Sequence, residues 1–405
     1  GLRWHERLAD SLRSKGFTPC KAEPDLWMHK NDNLYEYLAV YVDDIAIAAR
    51  KQQKQVVVLT NTHGFKLKGT EPICFYLGCN FYREADGTMC MAPRKYIEKM
   101  ESVYLRMFGC KPKQNMSSPI ERGDHPELDT SALLDAKGTE QYQSLIGAMQ
   151  WAVSLRRIDI TTAVMTLSSF RAKPCQGHMD RAKHVYGYLS KMKQAAICFC
   201  VEEPDYSSLP TQEFEWARTI YGNIKEMVPK DAPEPLGNYV TLTHFVDANL
   251  FHDMVTGRSV TGILHFCNQT PIDWFSKKQS TVETATYASA FVAARTCVDQ
   301  VIDLRNQLNY LGVPLRSTSY MFGDNESVVN SSSIPTSKLL KYYTALSYHH
   351  VQESIVSGVI AFNYIEGKSN PADILSKHWG YQQIRALLQP LLFWEGDSFK
   401  IFGRE

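Results

Sequence analysis

Apolar residues recur at helical spacing in the opening segment, where Trp4, Leu8 and Leu12 share one face and Gly16 supplies the stop. A first helix is predicted over residues 4–15. Two apolar runs then flank the turn-rich Lys30-Asn31-Asp32-Asn33: Leu26-Trp27-Met28-His29 before it and Leu38-Ala39-Val40-Tyr41 after it. A third run, Ile45-Ala46-Ile47-Ala48, lies just beyond Asp43-Asp44. This is an antiparallel sheet with two acids at a hairpin tip. A helix at about 51–62, a hairpin around Asp86-Gly87 and a helix from Lys95 to about Met107 follow.

Residues 109–138 carry Pro, Ser and Asp without periodicity, which predicts a linker. Helical spacing returns in three segments beginning near Gln141, Ile160 and Met179. After a strand at 197–202, the proline-bearing stretch 203–237 reads as an insertion with room for one helix. Beyond it the order is three strands (238–247, 259–267, 271–277), a long helix (about 284–311), a strand (318–323), a helix (about 336–357), a strand (358–366) and short helices. That succession predicts a mixed α/β layer fold with three leading antiparallel strands, and no internal repeat is visible. Trp4, Trp151 and Trp394 sit at apolar spacing and are expected in cores.

Composition narrows the class. The 405 residues are 44% hydrophobic, 21% charged and 11% aromatic, values of a folding globular chain long enough for two or three domains. Lys and Arg number 44 against 43 Asp and Glu, so no global field draws in a polyanion and any nucleic-acid surface must come from local clustering. The ten cysteines form no C-x-x-C pair, which speaks against zinc. Several lie in apolar runs such as Ile197-Cys198-Phe199-Cys200-Val201, where a thiol acts as a small hydrophobe, so a reducing compartment is expected. No apolar run approaches a membrane span, and no export signal opens the chain.

The chemistry concentrates in acids. Asp43 and Asp44 follow the apolar Tyr41-Val42 and precede another apolar run, so both carboxylates are forced out at one turn. Paired acids there repel each other and favour a hard cation such as Mg²⁺ or Mn²⁺. A plain Asp-Asp turn is the simpler alternative.

These residues keep ordered company. Gly1-Leu2, Trp4 and Leu8, then Gly16-Phe17, Lys21-Ala22-Glu23-Pro24-Asp25-Leu26 and Leu38-Ala39-Val40-Tyr41-Val42-Asp43-Asp44, stand in an order similar to that in the reverse transcriptase of copia-type LTR retrotransposons. The likeness continues through Tyr76-Leu77-Gly78, which resembles the family's primer-grip hairpin, then Tyr142-Gln143-Ser144-Leu145-Ile146-Gly147 and Arg157-Ile158-Asp159-Ile160. The last third resembles the family's RNase H domain. Phe245-Val246-Asp247-Ala248-Asn249, Gly257-Arg258-Ser259-Val260-Thr261-Gly262, Trp274-Phe275-Ser276-Lys277-Lys278-Gln279, Asp324-Asn325 and Asn370-Pro371-Ala372-Asp373-Ile374-Leu375-Ser376-Lys377 are similar to its successive motifs. Only the 203–237 stretch stands outside the resemblance.

The resemblance implies a fold of α+β and α/β parts. Residues 1–108 would be the C-terminal part of a palm with the primer grip, 109–138 a linker and 139–196 a helical thumb or connection. Residues 197–237 would be a strand plus insertion, 238–390 an RNase H-like mixed five-stranded sheet with helices, and 391–405 a tail. It implies RNA-directed DNA synthesis and degradation of RNA–DNA hybrids, with Asp43 and Asp44 at one two-metal site and Asp247, Asp324 and Asp373 at the other. Tyr41, Leu77, Gly78, Lys277 and Asn325 become candidate substrate contacts, and Mg²⁺ or Mn²⁺ the cofactor. The implied partners are template-primer nucleic acid, an RNA–DNA hybrid and the N-terminal palm and fingers of the polyprotein, with no membrane. The implied location is the cytoplasm, in a virus-like particle, with the nucleus second.

Two departures bear on activity. The family's catalytic Glu near the start of the long helix corresponds here to Ala290, and Glu283, two turns earlier, is ~10 Å away along a helix axis. The polymerase's first catalytic Asp belongs, in the family, to a strand ahead of Gly1. Both active sites are therefore expected to be incomplete, and a non-catalytic nucleic-acid-binding or structural remnant of such an element is the alternative reading.

Overall fold

The computed structural model describes residues 2–209, 214–316, 318–339, 342–389 and 391–392. Trp394 and nearly all of the tail lie outside the described residues. The chain forms two compact units, one of residues 1–76, 227–240 and 301–316, the other of residues 77–226, 241–300 and 317–405. Among the described residues no helix is long and apolar enough to cross a membrane.

In the first unit, the helix Leu2–Arg13 ends before Gly16, whose φ of +81° lets the chain reverse. A four-stranded antiparallel meander follows: Thr18–Pro19, Leu26–Asn31, Leu34–Tyr41 and Asp44–Ala48. Leu8, Leu12, Phe17, Trp27, Leu38, Val40, Leu59 and Phe65 form its core, and Trp4 packs edge-on against Phe65. The expected helix near 51–62 is an α-helix, Gln52–Val57, that widens into a π-turn at Val58–Thr62. Two distant stretches complete the unit. Tyr35 Oη donates to Glu234 O at 2.9 Å, Tyr37 Oη donates to Leu311 O at 2.7 Å, and Lys21 pairs with Asp231. Burial pushes the Tyr37 phenol up to about 12. The proline-rich residues 227–240 thus have a structural use that their composition hides.

In the second unit, the hairpin Cys79–Arg83 and Met89–Ala92 turns at Asp86-Gly87, and Ile197–Cys198 adds a strand to it. The helices Arg94–Phe108, Ala136–Ser154, Thr161–Ser168 and Gln176–Lys191 share a core of Ile97, Met100, Tyr142, Leu145, Ile146, Met149, Leu167, Val185 and Leu189. Trp151 stays 51% exposed, contrary to expectation, because it lies off the stripe formed by Tyr142, Leu145, Ile146 and Met149. The expected linker 109–138 ends earlier, where the helix begins at Ala136; residues 109–135 are irregular apart from a turn at Pro126–Leu128, yet tied down: Arg181 binds Asp124 through two nitrogens, at 2.6 and 2.7 Å, and Asp129 at 2.5 Å.

The rest of this unit is the mixed five-stranded sheet that the resemblance implies. Its strands are β1 (Leu242–Asn249), β2 (Val260–Cys267), β3 (Thr270–Lys278), β4 (Ser319–Gly323) and β5 (Ile360–Tyr364), in the spatial order β3-β2-β1-β4-β5. β1, β2 and β3 are antiparallel, whereas β4 runs parallel to both β1 and β5. The long helix is Thr286–Tyr310. A helix at Glu326–Ser333 was not expected, because its Ser and Asn are poor helix formers. It forms because Asn325 Oδ1 caps Val328 N at 3.2 Å and because Val328 and Val329 are buried. The expected helix at 336–357 is correspondingly shorter, Ala345–Val356. The strand near 197–202 contracts to Ile197–Cys198.

Candidate active site

The first-unit acids sit where the pattern places them. Tyr41 pairs with Asp44, so Val42 and Asp43 are the whole loop between two strands, and residues 41–44 are all exposed. A two-residue hairpin needs positive φ, and Val42 supplies it at +57°. A β-branched residue is strained there by roughly 1–2 kcal/mol, with no burial in return, since Val42 is 71% exposed. Such strain concentrates at functional turns. Among the other candidate contacts, Leu77 and Gly78 make a turn with φ of +48° and +87°, and a Cβ on Gly78 would lie 3.1 Å from Leu155. Lys277 is exposed near the end of β3, while its neighbour Lys278 is held by Asp253 at 2.6 Å.

The three acids of the second unit converge. Asp247 projects from β1, Asp324 follows β4, and Asp373 lies in the turn Pro371–Leu375; each offers a carboxylate oxygen within 4.8 Å of the others. Asp247 and Asp373 are each only 4% exposed. Asp247, Asp324 and Asn325 line one small cleft together with Ala290. Alanine therefore stands on the face of the long helix that looks into the acid site. Glu283 lies ahead of that helix, buried, and accepts a bond from Thr281 Oγ1 at 2.8 Å.

The turn carrying Asp373 is clamped from several sides. Asn370 caps it and donates through Nδ2 to Val246 O at 3.0 Å. Trp379 Nε1 donates to Asp373 O at 3.1 Å, Ser376 Oγ donates to Asp247, and Thr162 Oγ1 donates to Ile374 O at 2.6 Å. Behind Thr162, the fully buried Arg157 makes a bidentate pair with Asp159, at 2.9 and 2.6 Å. Gly262 lets this turn approach the sheet: a Cβ there would lie 2.7 Å from Ala372 O and 2.9 Å from Leu375 C. Ile158, Ile374 and Leu375 share one core with Leu264, Ile384 and Leu388.

The electrostatics fit a cation site. Burial first, then the neighbouring Asp247 carboxylate, pushes both Asp324 and Asp373 above the usual carboxylate range. Lys377 Nζ lies 2.7 Å from Asp373 Oδ1 and 3.3 Å from Asp247 Oδ2. Burial opposes its charge, but Asp247 and Asp373 outweigh that and raise the ammonium's pKa. Three oxygen donors on rigid elements, repelling one another, are the donor set that a hard divalent ion takes.

The roles of Ser376 and Lys377 escaped the sequence reading, although their spacing of three and four residues from Asp373 hinted at a shared face. A histidine pair was missed as well. His252 and His378 stack edge to face at 4.8 Å just beyond the acid turn. Burial lowers them to about 4 and about 3.

No family model matches the chain. It is 23% identical over 386 residues to the "Retrovirus-related Pol polyprotein from transposon TNT 1-94" of Nicotiana tabacum, a match covering 93% of this chain and 26% of that protein. It is 22% identical over 375 residues to the "Retrovirus-related Pol polyprotein from transposon RE1" of Arabidopsis thaliana, covering 92% and 23%. Among solved structures, a foamy viral protease-reverse transcriptase in complex with RNA/DNA hybrid shares 13% identity at a TM-score of 0.38, covering 82% of this chain and 36% of that one. Over more than nine tenths of its length, then, the chain is a homologue of transposon Pol polyproteins, and it spans about a quarter of the length of these relatives.

Proposed function

We propose that this chain is the reverse transcriptase–RNase H segment of a retrotransposon Pol polyprotein, and that its second unit carries a divalent-metal site for cutting the RNA strand of an RNA–DNA hybrid. The observation that carries this reading is the convergence of Asp247, Asp324 and Asp373, with Asp247 and Asp324 lining the same cleft as Ala290. Asp247, Asp324 and Asp373 would hold the ion, Mg²⁺ or Mn²⁺. A bound divalent ion in such a site activates water and stabilises charge on the phosphodiester. The chain's own part is to fix those carboxylates: Ser376 and Lys377 orient Asp247, while Asn370, Trp379 and Thr162 hold the turn of Asp373. The substrate would be held through phosphates and A-like shape, because replication accepts any sequence.

With Ala290 in place of the family's Glu, the two-metal set lacks one carboxylate, and hybrid cleavage should be weak. Ala290→Glu should raise Mg²⁺-dependent cleavage of an RNA–DNA hybrid, and Ala290→Gln should not. No gain from Ala290→Glu, with Asp247→Asn also without effect on metal binding, would sink the nuclease reading. That same Ala290 favours a second reading, a unit kept for binding hybrids without cutting them. It predicts hybrid affinity that survives Asp247→Asn. Asp43 and Asp44 would be polymerase metal ligands, with Tyr41, Leu77 and Gly78 beside the primer and Asn325 and Lys277 near the hybrid. The rest of the palm in the polyprotein would be a partner, and the reading places the protein in cytoplasmic virus-like particles, with the nucleus second.

A further inference from the structure

The acid cleft has a cation of its own, built into the same turn as one of its acids. Lys377 Nζ touches Asp373 and Asp247 at 2.7 and 3.3 Å, and its side chain is 30% exposed while theirs are nearly inaccessible. It therefore reaches in from the solvent side of the cluster. Its backbone is not free to swing away, since Lys377 N donates to Asp373 O at 3.0 Å. Ser376 and Trp379, on either side, are bonded to Asp247 and Asp373.

Counting charge decides what else fits. Asp247, Asp324 and Asp373 together bring three negative charges when ionised. One divalent ion and the Lys377 ammonium bring three positive ones and balance them. Two divalent ions and the ammonium would leave a surplus of two positive charges in a largely buried cleft, an arrangement that low-dielectric surroundings penalise. A fourth carboxylate would cut that surplus to one, and would balance a second ion fully only with the ammonium gone, but the residues lining the cleft from the long helix are Ala290 and Ala293.

We propose that Lys377 supplies the positive charge that a second divalent ion would otherwise bring, so that this cleft takes a single divalent ion. The proposal rests on the reading of the cleft as a divalent-metal site. It makes Lys377 both a partner of the acids and a competitor for their outer oxygens.

Electron paramagnetic resonance of the full chain titrated with Mn²⁺ tests it. The wild type should show a mononuclear signal that saturates at one ion per chain and is lost in Asp247→Asn. Lys377→Met, which keeps the stem and removes the charge, should bind Mn²⁺ roughly tenfold more tightly or better. Lys377→Arg should keep wild-type affinity and stoichiometry, and Ala290→Glu combined with Lys377→Met should give the exchange-coupled signal of a Mn²⁺ pair. An exchange-coupled pair in the wild type, an unchanged Mn²⁺ affinity in Lys377→Met, or a mononuclear signal in the double variant overturns the role of Lys377. Absence of Mn²⁺ binding by the wild type, or binding indifferent to Asp247→Asn, overturns the metal-site reading itself. Should the double variant fail to fold, the Met and Arg variants still decide.

Discussion

The two groups of acids in this chain were built by opposite means. Asp43 and Asp44 are neighbours in sequence, exposed at the tip of a hairpin whose strands Leu34–Tyr41 and Asp44–Ala48 pair directly across it. Asp247, Asp324 and Asp373 are separated by long stretches of chain and meet only because β1 and β4 pair in parallel while the Pro371–Leu375 turn is clamped against β1 and β2. A local pair costs little to assemble but stays in water, where two like charges are well screened. A tertiary cluster has to be forced together against burial and repulsion, and that same cost makes it avid for a cation. Proximity in sequence and power to hold an ion are therefore different properties here.

The largest effect should separate the two sites. Asp373→Asn should lower Mn²⁺-dependent hybrid cleavage by a thousandfold or more, roughly 4 kcal/mol, while Asp43→Asn in the same protein leaves it within twofold. Parallel cleavage assays on the two variants check this, and a comparable loss in Asp43→Asn would erase the distinction between the two sites.

Acid should weaken the tertiary cluster through its histidine neighbours. His252 faces Glu127, Lys278, His125 and Asp253, and His378 faces His252, Asp124, His125 and Lys278; both are held below the ordinary histidine range by burial. Because their folded pKa values are depressed, the folded state binds fewer protons than the unfolded one below about pH 6.5. Their contribution to stability is then complete above that value and is lost as pH falls toward about 4. For His252 this amounts to about 3 kcal/mol, and unfolding melts of the wild type and of His378→Phe between pH 7 and 4 should show the variant losing less. Equal slopes would remove the histidines from the account.

Gly262→Ala probes the clamp itself. Its Cβ would press on Ala372 O and on the Leu375 backbone, so about 2 kcal/mol of stability should go, together with much of the Mn²⁺ affinity. Calorimetry and a Mn²⁺ titration read the two quantities. Stability lost with affinity intact would mean that the turn of Asp373 is held elsewhere.

The smallest effect concerns the local hairpin. Val42→Gly relieves a positive-φ strain without removing a buried group, and should raise stability by about 1 kcal/mol, visible as a higher melting temperature. A fall instead would show that Val42 is supported by contacts its exposure conceals.

What was legible in the sequence was whatever short-range physics decides. The apolar runs on either side of Asp43-Asp44 were enough to place them on a hairpin tip, the Asp86-Gly87 pair was enough for the second hairpin, the Leu2–Arg13 helix followed from apolar spacing, and the long helix Thr286–Tyr310 was expected in its place in the succession of elements. The helix Glu326–Ser333 was illegible because its residues favour turns; only the Asn325 cap and the burial of Val328 and Val329 make it a helix. Tertiary structure alone decided that residues 227–240 and 301–316 join the first unit, through backbone acceptors offered to Tyr35 and Tyr37, since a carbonyl has no signature in the side-chain pattern. It also decided that Ser376 and Lys377 face Asp247, and that Gly262 is needed for closeness rather than for a turn. Such contacts depend on distances between segments far apart in the chain, and periodicity and spacing describe a segment only in relation to itself.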